Sequence, residues 1–401
     1  MRVINIALIF CNNINVIMKN LFYAIILLNL LLSCKEDVRG LQENLYAGLS
    51  VSVQTEDVDI PIDENTLKDY YLLSSYQVAS NQKKIMAYND QLHTLDVFDL
   101  AAKTVSHISM AEDGPNAILR PIGGLYVHHT DSIWVYSQGY AFLLDGTGKI
   151  AQKIELPVPE NGYIMTDANY SLATNRLFYN KDRNSLFYSC TQPEKELFSA
   201  VEYSLGSGSV KTYQLKGAGP DEDIRTDYGL MQLPNVTFTD NCILYNFPIE
   251  SNIYRISLDT DKETIHGGQS KYTPNQASRC KTPFTLPEGG RHSVENVHFY
   301  EVSYDKTKKM YYRLHAGKSV MVGDNEFFKA YQTKPLYLMF FDQDLRVVDE
   351  IELENDIYSY ITSWGVVDGS FFMTKNHWND DSNDFEKYQL KMFSFKEAEK
   401  D

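Results

Sequence analysis

KKIMAYNDQLHTLDVFDLAAKTVSHI, residues 83–108, carries the pattern from which the fold can be read. Apolar side chains crowd 85–88 and 95–98, and polar turns at Asn89-Asp90 and Asp99 separate the runs. A polar turn, an alternating strand, a second turn and a second strand make a meander, and no helical period competes with it. The same unit recurs at 124–156, turning at Thr130-Asp131 and Asp145-Gly146, and at 176–215, turning at Asp182 and Gly206. It returns at 235–266 (Asp240-Asn241; Asp259), at 297–353 (Asp305-Lys306; Asp342) and at 363–395 (Asp368-Gly369, then an acidic loop over 379–384). Asp, Asn and Gly tolerate the left-handed backbone that tight hairpins demand, which is why they mark the turns.

Six four-stranded meanders in series fit an all-β chain folded as a six-bladed β-propeller, in which radial closure protects the strand edges. Residues 45–396 divided among six units give roughly 59 per blade, so the surplus over compact repeats sits in connections between blades. The alternating segment 45–60 precedes the first unit and is expected to pair with the last blade and close the ring. A seven-bladed ring and a pair of β-sandwiches are the competing arrangements.

The 401-residue chain carries 37 basic and 53 acidic side chains, a formal charge of −16. Such a chain is poorly suited to gripping phosphate backbones, so nucleic acid is not an expected partner. Its 28 Tyr and 20 Phe against 3 Trp favour half-buried pleated surfaces.

The first 33 residues read as an address. Two basic side chains, Arg2 and Lys19, precede or flank a 12-residue apolar run, 21–32, short for a membrane span and right for a signal peptide. Met18-Lys19-Asn20 has the form of a complete n-region, so Met18 is a candidate start. Leu31-Leu32-Ser33-Cys34 resembles a bacterial lipobox, which makes Cys34 the lipidated residue. Lys35, Glu36 and Asp37 then resemble the export signal of Bacteroidetes surface lipoproteins. The expected organisation is a leader over 1–33, a lipidated tether over 34–44, one propeller over 45–396 and a tail over 397–401. The expected location is the outer membrane, held by lipid and facing the cell surface, with a periplasm-facing orientation as the alternative. Of the remaining cysteines, Cys190 and Cys242 lie in apolar strand-like runs and read as small buried hydrophobes; whether Cys190, Cys242 and Cys280 form a disulfide is open.

The leader, Gly114-Pro115-Asn116, Asp131-Ser132-Ile133 and Asp145-Gly146-Thr147-Gly148-Lys149 together resemble Bacteroidetes lipoproteins of domain-of-unknown-function family 4221. The likeness covers most of 45–395 and implies a six-bladed propeller body without an assigned activity.

Motifs that carry chemistry are few. His128 and His129 are adjacent on a strand, point to opposite faces and cannot chelate one ion together. The acidic loops at 259–263 and 380–384 lack the Gly at position 6 and the Glu at position 12 that a calcium loop requires. No GxSxG elbow, HExxH or phosphate-cradling glycine loop occurs. No metal and no cofactor are therefore expected. The long connections offer Asn116 and Arg120; Asp167 and Tyr170; Asp221, Arg225 and Tyr228; Arg279, Lys281, Arg291 and His292; and Tyr358, Tyr360 and Trp364. Converging over the channel, these would suit an anionic or sugar-like ligand, or a partner's loop. Two functions follow: a non-enzymatic, membrane-anchored binder of a protein or glycan, or a propeller enzyme acting on polysaccharide, a lyase or glycosidase using Asp167, Asp221, Arg291 and His292.

Overall fold

The computed structural model describes residues 40–49, 51–70, 72–79, 82–164, 177–192, 197–216, 231, 233–280, 286–321, 327–358, 364–377 and 379–397. The chain divides into two compact units. Gly40 is the one described residue of the smaller (1–40 and 218–222), and everything below concerns the larger, 41–217 and 223–401. The leader, Cys34 and the Lys35-Glu36-Asp37 signal thus lie outside the described residues.

The larger unit is a ring of six antiparallel sheets, a six-bladed β-propeller. Strand β1 (Val51–Pro61) comes first in the chain but belongs to the last blade. Blade 1 is β2 (Leu73–Ala79), β3 (Gln82–Asn89), β4 (Thr94–Asp99) and β5 (Thr104–Ser109). Blade 2 is β6 (Ile122–His129), β7 (Ser132–Ser137), β8 (Tyr140–Leu144) and β9 (Ile150–Glu155). In blade 3 two short pieces, β10 (Tyr163–Ile164) and β11 (Phe178–Asn180), both pair with β12 (Ser185–Gln192), followed by β13 (Leu197–Ser204) and β14 (Val210–Leu215). Blade 4 is β15 (Asn235–Phe238), β16 (Cys242–Asn246), β17 (Ile253–Ser257) and β18 (Glu263–His266). Blade 5 is β19 (His298–Asp305), β20 (Met310–Ala316), β21 (Leu336–Phe341) and β22 (Val347–Glu352). Blade 6 is β23 (Trp364–Val367), β24 (Ser370–Thr374) and β25 (Lys387–Glu397), completed by β1.

Closure is as the sequence suggests. Strand β1 runs antiparallel to β25 from Val51 opposite Glu397 to Pro61 opposite Lys387, so the two ends of the ring share one sheet. That pairing removes two exposed edges at once. The start of the expected closing segment does something else. The Ala47 amide donates to the Val347 carbonyl (2.9 Å) and the Val347 amide to the Leu45 carbonyl (2.7 Å), which straps 45–47 onto β22 of blade 5. Just upstream, Asn44 and Gln269 exchange two hydrogen bonds of 2.7 Å, and the Gln42 amide donates to Asn252 Oδ1 (2.8 Å). Gly267 makes room for this strap: a Cβ there would lie 2.3 Å from the Glu43 carbonyl oxygen.

Middle strands are apolar on both faces because a neighbouring blade covers each side; β21, LYLMFF, is buried throughout. Outermost strands such as β14 alternate between buried and exposed. The core is accordingly a series of layers between blades. Phe98 of blade 1 stacks on Tyr388 of blade 6 at 4.3 Å, with Tyr70 edge-on to both, and Trp134 of blade 2 packs in the layer that contains Leu186 and Tyr188 of blade 3. Each fully buried side chain of this size contributes about 1.5–3 kcal/mol. Cys190 and Cys242 are buried thiols within two such layers, and Cys280 is partly exposed.

Among the described residues two short helices occupy connections that the sequence reads as loop: α1 (Leu286–Glu295) between blades 4 and 5, and α2 (Phe327–Gln332) between β20 and β21. Several hairpins also place residues other than Asp, Asn and Gly at positive φ, among them His93, Lys103, Gln138, Lys309 and Leu345. Sheet pairing on both sides over-determines those turns and absorbs the backbone cost.

Candidate functional site

Each blade presents its first strand to the channel, and the chain enters that strand from the connection between blades. The inter-blade connections therefore lie at one end of the channel, and the hairpins that follow the inner strands lie at the other. Small polar residues let the inner strands approach. The Ser74 hydroxyl accepts from the Val127 amide (2.9 Å), joining blades 1 and 2, and Ser75 donates to the Val366 carbonyl, joining blades 1 and 6. Near the connection end, Asn235 Nδ2 donates to the Phe299 carbonyl (2.9 Å), which joins blades 4 and 5.

Around the Ser74 and Ser75 stitches the channel holds a cavity of about 500 Å³, to which all six blades contribute. The residues that β6, β15 and β19 supply come from their later halves, together with the turn residues Asp240, Lys306, Thr307 and Asp368. Lys306 and Thr307 are exposed, so the mouth opens on the hairpin side. One arc of the wall is aromatic: Tyr126 and Phe178 lie 4.9 Å apart, and Phe178 stacks on Phe238 at 6.4 Å. The wall also holds two hydroxyls, Thr237 and Ser303, that are 8% and 4% exposed. Neither Thr237 Oγ1 nor Ser303 Oγ has a hydrogen-bond partner among the described residues. Asp305 Oδ2 is likewise buried without a partner among the described residues, so three residues bordering the cavity carry a buried polar atom that is not hydrogen-bonded.

Charge at the mouth is cancelled in pairs. Lys306 Nζ lies 2.5 Å from Asp240 Oδ2, and that hydrogen bond raises the lysine's pKa. Lys83 Nζ lies 3.2 Å from Asp368 Oδ2. Burial, then the neighbouring His129, Lys181 and Lys306, lowers the His128 pKa and favours the neutral ring. Burial raises the Asp305 carboxyl, whose Oδ1 accepts from the Thr307 and Lys308 amides (2.8 and 3.1 Å) and so shapes its own hairpin. The lining thus offers aromatic faces, hydroxyls and compensated charges. Among the described residues no three His, Cys, Asp or Glu are grouped to hold a metal ion.

The candidates named from sequence fall into three groups. Trp364 lines the cavity, but as the first residue of β23 and not in a loop; its indole Nε1 donates to Glu301 Oε1 (3.0 Å) and its ring meets Tyr300 edge-on. Arg120, Arg291, His292 and Asn116 are not part of the cavity wall. Arg120 pairs with Glu112 (2.6 Å) and donates to the Asp90 carbonyl, which ties the connection between blades 1 and 2 to the β3–β4 hairpin. Arg291 faces Glu295 one helical turn along α1 (3.8 Å). His292 is buried, hydrogen-bonds the Ser278 carbonyl, and is held below its usual pKa by burial. Asn116 is exposed. Tyr358 is buried in the layer between blades 5 and 6, and Arg279 is exposed. Asp167, Tyr170, Asp221, Arg225, Tyr228, Lys281 and Tyr360 lie outside the described residues.

Sequence reasoning missed Thr237, Ser303 and the Tyr126–Phe178–Phe238 arc. A signal existed: Thr237 stands three residues before the Asp240 turn and Ser303 two before the Asp305 turn, each at the channel end of an inner strand.

The profile of a domain of unknown function, DUF4221, matches residues 49–352. The fold is shared with a DUF4221 protein from Bacteroides vulgatus at TM-score 0.69 and 15% identity, over 89% of this chain and 100% of that one. It is also similar to a protein of Bacteroides fragilis provisionally described as exported, at TM-score 0.51 and 11% identity, over 86% and 95% of the two chains. At these identities the likeness concerns the fold alone. No curated protein matches the chain. Among the described residues no helix is long and apolar enough to cross a membrane.

Proposed function

Because this chain belongs to the DUF4221 family, whose common property is a propeller and not an assigned reaction, we propose that it is a binding protein: an exported, lipid-anchored ring that takes a ligand in its channel without transforming it. The observation that carries the reading is the channel cavity of about 500 Å³, walled in part by the Tyr126, Phe178 and Phe238 rings. Its volume falls in the range of small-ligand sites, about 300–1,000 Å³. Catalysis would need an acid and a base free to exchange protons over the ligand. Here Asp240 is held by Lys306 and Asp368 by Lys83, while Asp305 Oδ1 is held by backbone amides and its Oδ2 is buried out of reach.

Anchoring at the outer membrane through Cys34, with the body outside the cell, rests on the Leu31-Leu32-Ser33-Cys34 and Lys35-Glu36-Asp37 stretches. A B. fragilis protein of the same fold, provisionally described as exported, is in keeping with it. The acidic body gives no other means of holding anionic lipid, so acyl chains on Cys34 would be the whole attachment.

The test is a thermal-shift screen of envelope glycans, their component sugars and peptides, run beside product analysis of the same mixtures. Stabilisation without turnover is expected, since a ligand that binds only the folded state raises its stability by RT ln(1 + [L]/Kd). Product formation from any bound compound would replace the binding reading with an enzymatic one. Protease shaving of intact cells, with a C-terminal tag and a periplasmic control, tests the location: release of the body with the control intact is expected, and protection would turn the search to periplasmic ligands.

A further inference from the structure

Resting on the lipid-anchored part of that reading, we infer that the outer rim of blades 4 and 5 lies against the membrane, with Leu45 and Tyr46 of the strap and Leu49 just beyond it seated where headgroups meet acyl chains. These three side chains are 66%, 70% and 50% exposed. Elsewhere among the described residues, exposed large apolar side chains are spaced more widely along the chain; here three fall within five residues. Tyr272, 45% exposed, stands on the same rim. Asn44 of the strap and Gln269 are bonded to each other, and Lys271 Nζ reaches Asp349 of β22 (3.4 Å) while lying 5.1 Å from the centre of the Tyr272 ring. A tyrosine at a membrane surface keeps its ring in the apolar layer and its hydroxyl in water, and a lysine lays its stem there with the ammonium outside.

Backbone pairing makes this a fixed surface and not a loose tether. Leu45 and Ala47 bond Val347 on the outermost strand of blade 5, and Gly267, which follows the outermost strand of blade 4, leaves room for Glu43. The exposed side chains are therefore held in place on the outside of the ring. The occupant follows from the length of chain upstream. Cys34 precedes Leu45 by eleven residues, so a lipid carried there is at most about 40 Å away with the chain fully extended. A link that short keeps the strap at high effective concentration over the bilayer, and contacts too weak to recruit a free protein then suffice. Charge does not compete for this role, because a chain of net charge −16 is repelled by anionic headgroups. The contact also sets the orientation. A ring standing on its rim has its channel along the membrane plane, so both mouths face solvent.

The test uses the mature lipidated protein on phosphatidylcholine vesicles. Tyr46→Trp places a reporter on the strap and Phe385→Trp one on the exposed β24–β25 connection of blade 6, each read as the difference from wild-type emission. Acyl-chain bromine is expected to quench Tyr46→Trp, most when it is placed nearest the headgroups, since a surface-seated segment sits about 5–10 Å into that boundary. Phe385→Trp is expected to keep its emission. Adding Leu45→Ser and Leu49→Ser should remove most of the quenching with Tm unchanged, because both side chains are exposed, and phosphatidylglycerol in the vesicles should reduce it. In the wild type, chymotryptic cleavage after Tyr46 should slow on vesicles, a readout that needs no variant. Absence of quenching, or equal quenching of both reporters, in protein that still sediments with lipid overturns the rim contact and leaves the anchor standing. Failure to sediment with lipid overturns the anchored reading and the contact with it. A dimer in detergent that shields Tyr46→Trp from acrylamide, without bromine quenching on vesicles, gives the strap to a second copy of the chain and overturns the membrane assignment.

Discussion

Replacing Asp96 by Ala is expected to remove about 4 kcal/mol of stability, because one fully buried carboxyl group organises the join between the closing blade and the first. Asp96 Oδ2 accepts from the Tyr70 hydroxyl (2.7 Å) and Asn89 Nδ2 (3.0 Å), and Oδ1 accepts from Thr94 Oγ1 (2.8 Å) and contacts His107 Nδ1 (2.8 Å). The His107 ring reaches on to Asp63 (3.1 Å), and Tyr70 packs edge-on against Phe98 and Tyr388. The connection from β1 to β2 is thereby fastened to blade 1. Alanine removes the acceptor of three donors, on Tyr70, Asn89 and Thr94, all of them buried residues. Each stranded donor costs about 1–3 kcal/mol, and breaking a buried charged group's contacts as a whole typically costs 3–5 kcal/mol, so about 4 is a non-additive total. For a body of roughly 350 residues the unfolding entropy is about 0.7 kcal/mol/K, which converts this loss into a fall in Tm of about 5–6 °C. Urea titration and calorimetry measure it directly. Tyr70→Phe in the Asp96→Ala background should then cost less than Tyr70→Phe alone, because the hydroxyl has already lost its acceptor. A loss below about 1 kcal/mol, or strict additivity with Tyr70→Phe, would refute the reasoning.

The same cluster sets a pH dependence. Burial lowers the His107 pKa, but the hydrogen bonds its ring donates to Asp96 and Asp63 outweigh it and leave the folded value raised; its contribution is present in full below the ordinary value near 6.5 and is lost as pH rises through the folded value. Tm measured between pH 6 and 8 should therefore fall more for the wild type than for His107→Gln, and equal slopes would contradict the network. Gly267→Ala is expected to lift the 42–47 strap from blade 5, since its Cβ would sit 2.3 Å from the Glu43 carbonyl oxygen; faster proteolysis within 41–50, with blade cores still protected, is the sign to look for. Cys190 and Cys242 should resist a thiol reagent in the native protein and react on unfolding, because both are buried and burial pushes Cys190 up to about 12. Native labelling at either would show that the inter-blade layers open more readily than their packing allows.

Turn spacing made the blade count legible, and the closing strand with it, because each hairpin carries its own local chemistry. What escaped was decided by neighbours elsewhere in the chain. The inner strand of blade 1, LSSYQVA, shows weak alternation because Ser74 and Ser75 serve adjacent blades by hydrogen bonding and not by burying apolar groups. His93, Lys103 and Leu345 at positive φ are poor turn formers on their own, held there by the ladders on either side. Helix α1 depends on Lys334, whose buried ammonium caps the Ser293 and Asn296 carbonyls (2.7 and 2.6 Å) from 38 or more residues away. The cavity has the same character: Thr237, Ser303 and Phe178 meet only because the ring closes.

The two ends of the channel divide the labour. At the connection end, two of the side chains named from sequence, Arg120 and His292, and the buried Lys334 are spent on the loops themselves. Arg120 holds a hairpin, His292 holds Ser278, and Lys334 holds the end of α1. Loops secured in this way are shaped by internal contacts, and their cations are not presented to a guest. At the hairpin end Lys306 is paired with Asp240 and Lys83 with Asp368, while Asp305 Oδ2, Thr237 Oγ1 and Ser303 Oγ are buried without a partner among the described residues. A chain of net charge −16 sets up a field that repels anions at a distance, and a neutral ligand does not feel it. The apolar arc and the overall field would therefore both favour an uncharged guest, at the end of the ring where the chain turns in short hairpins.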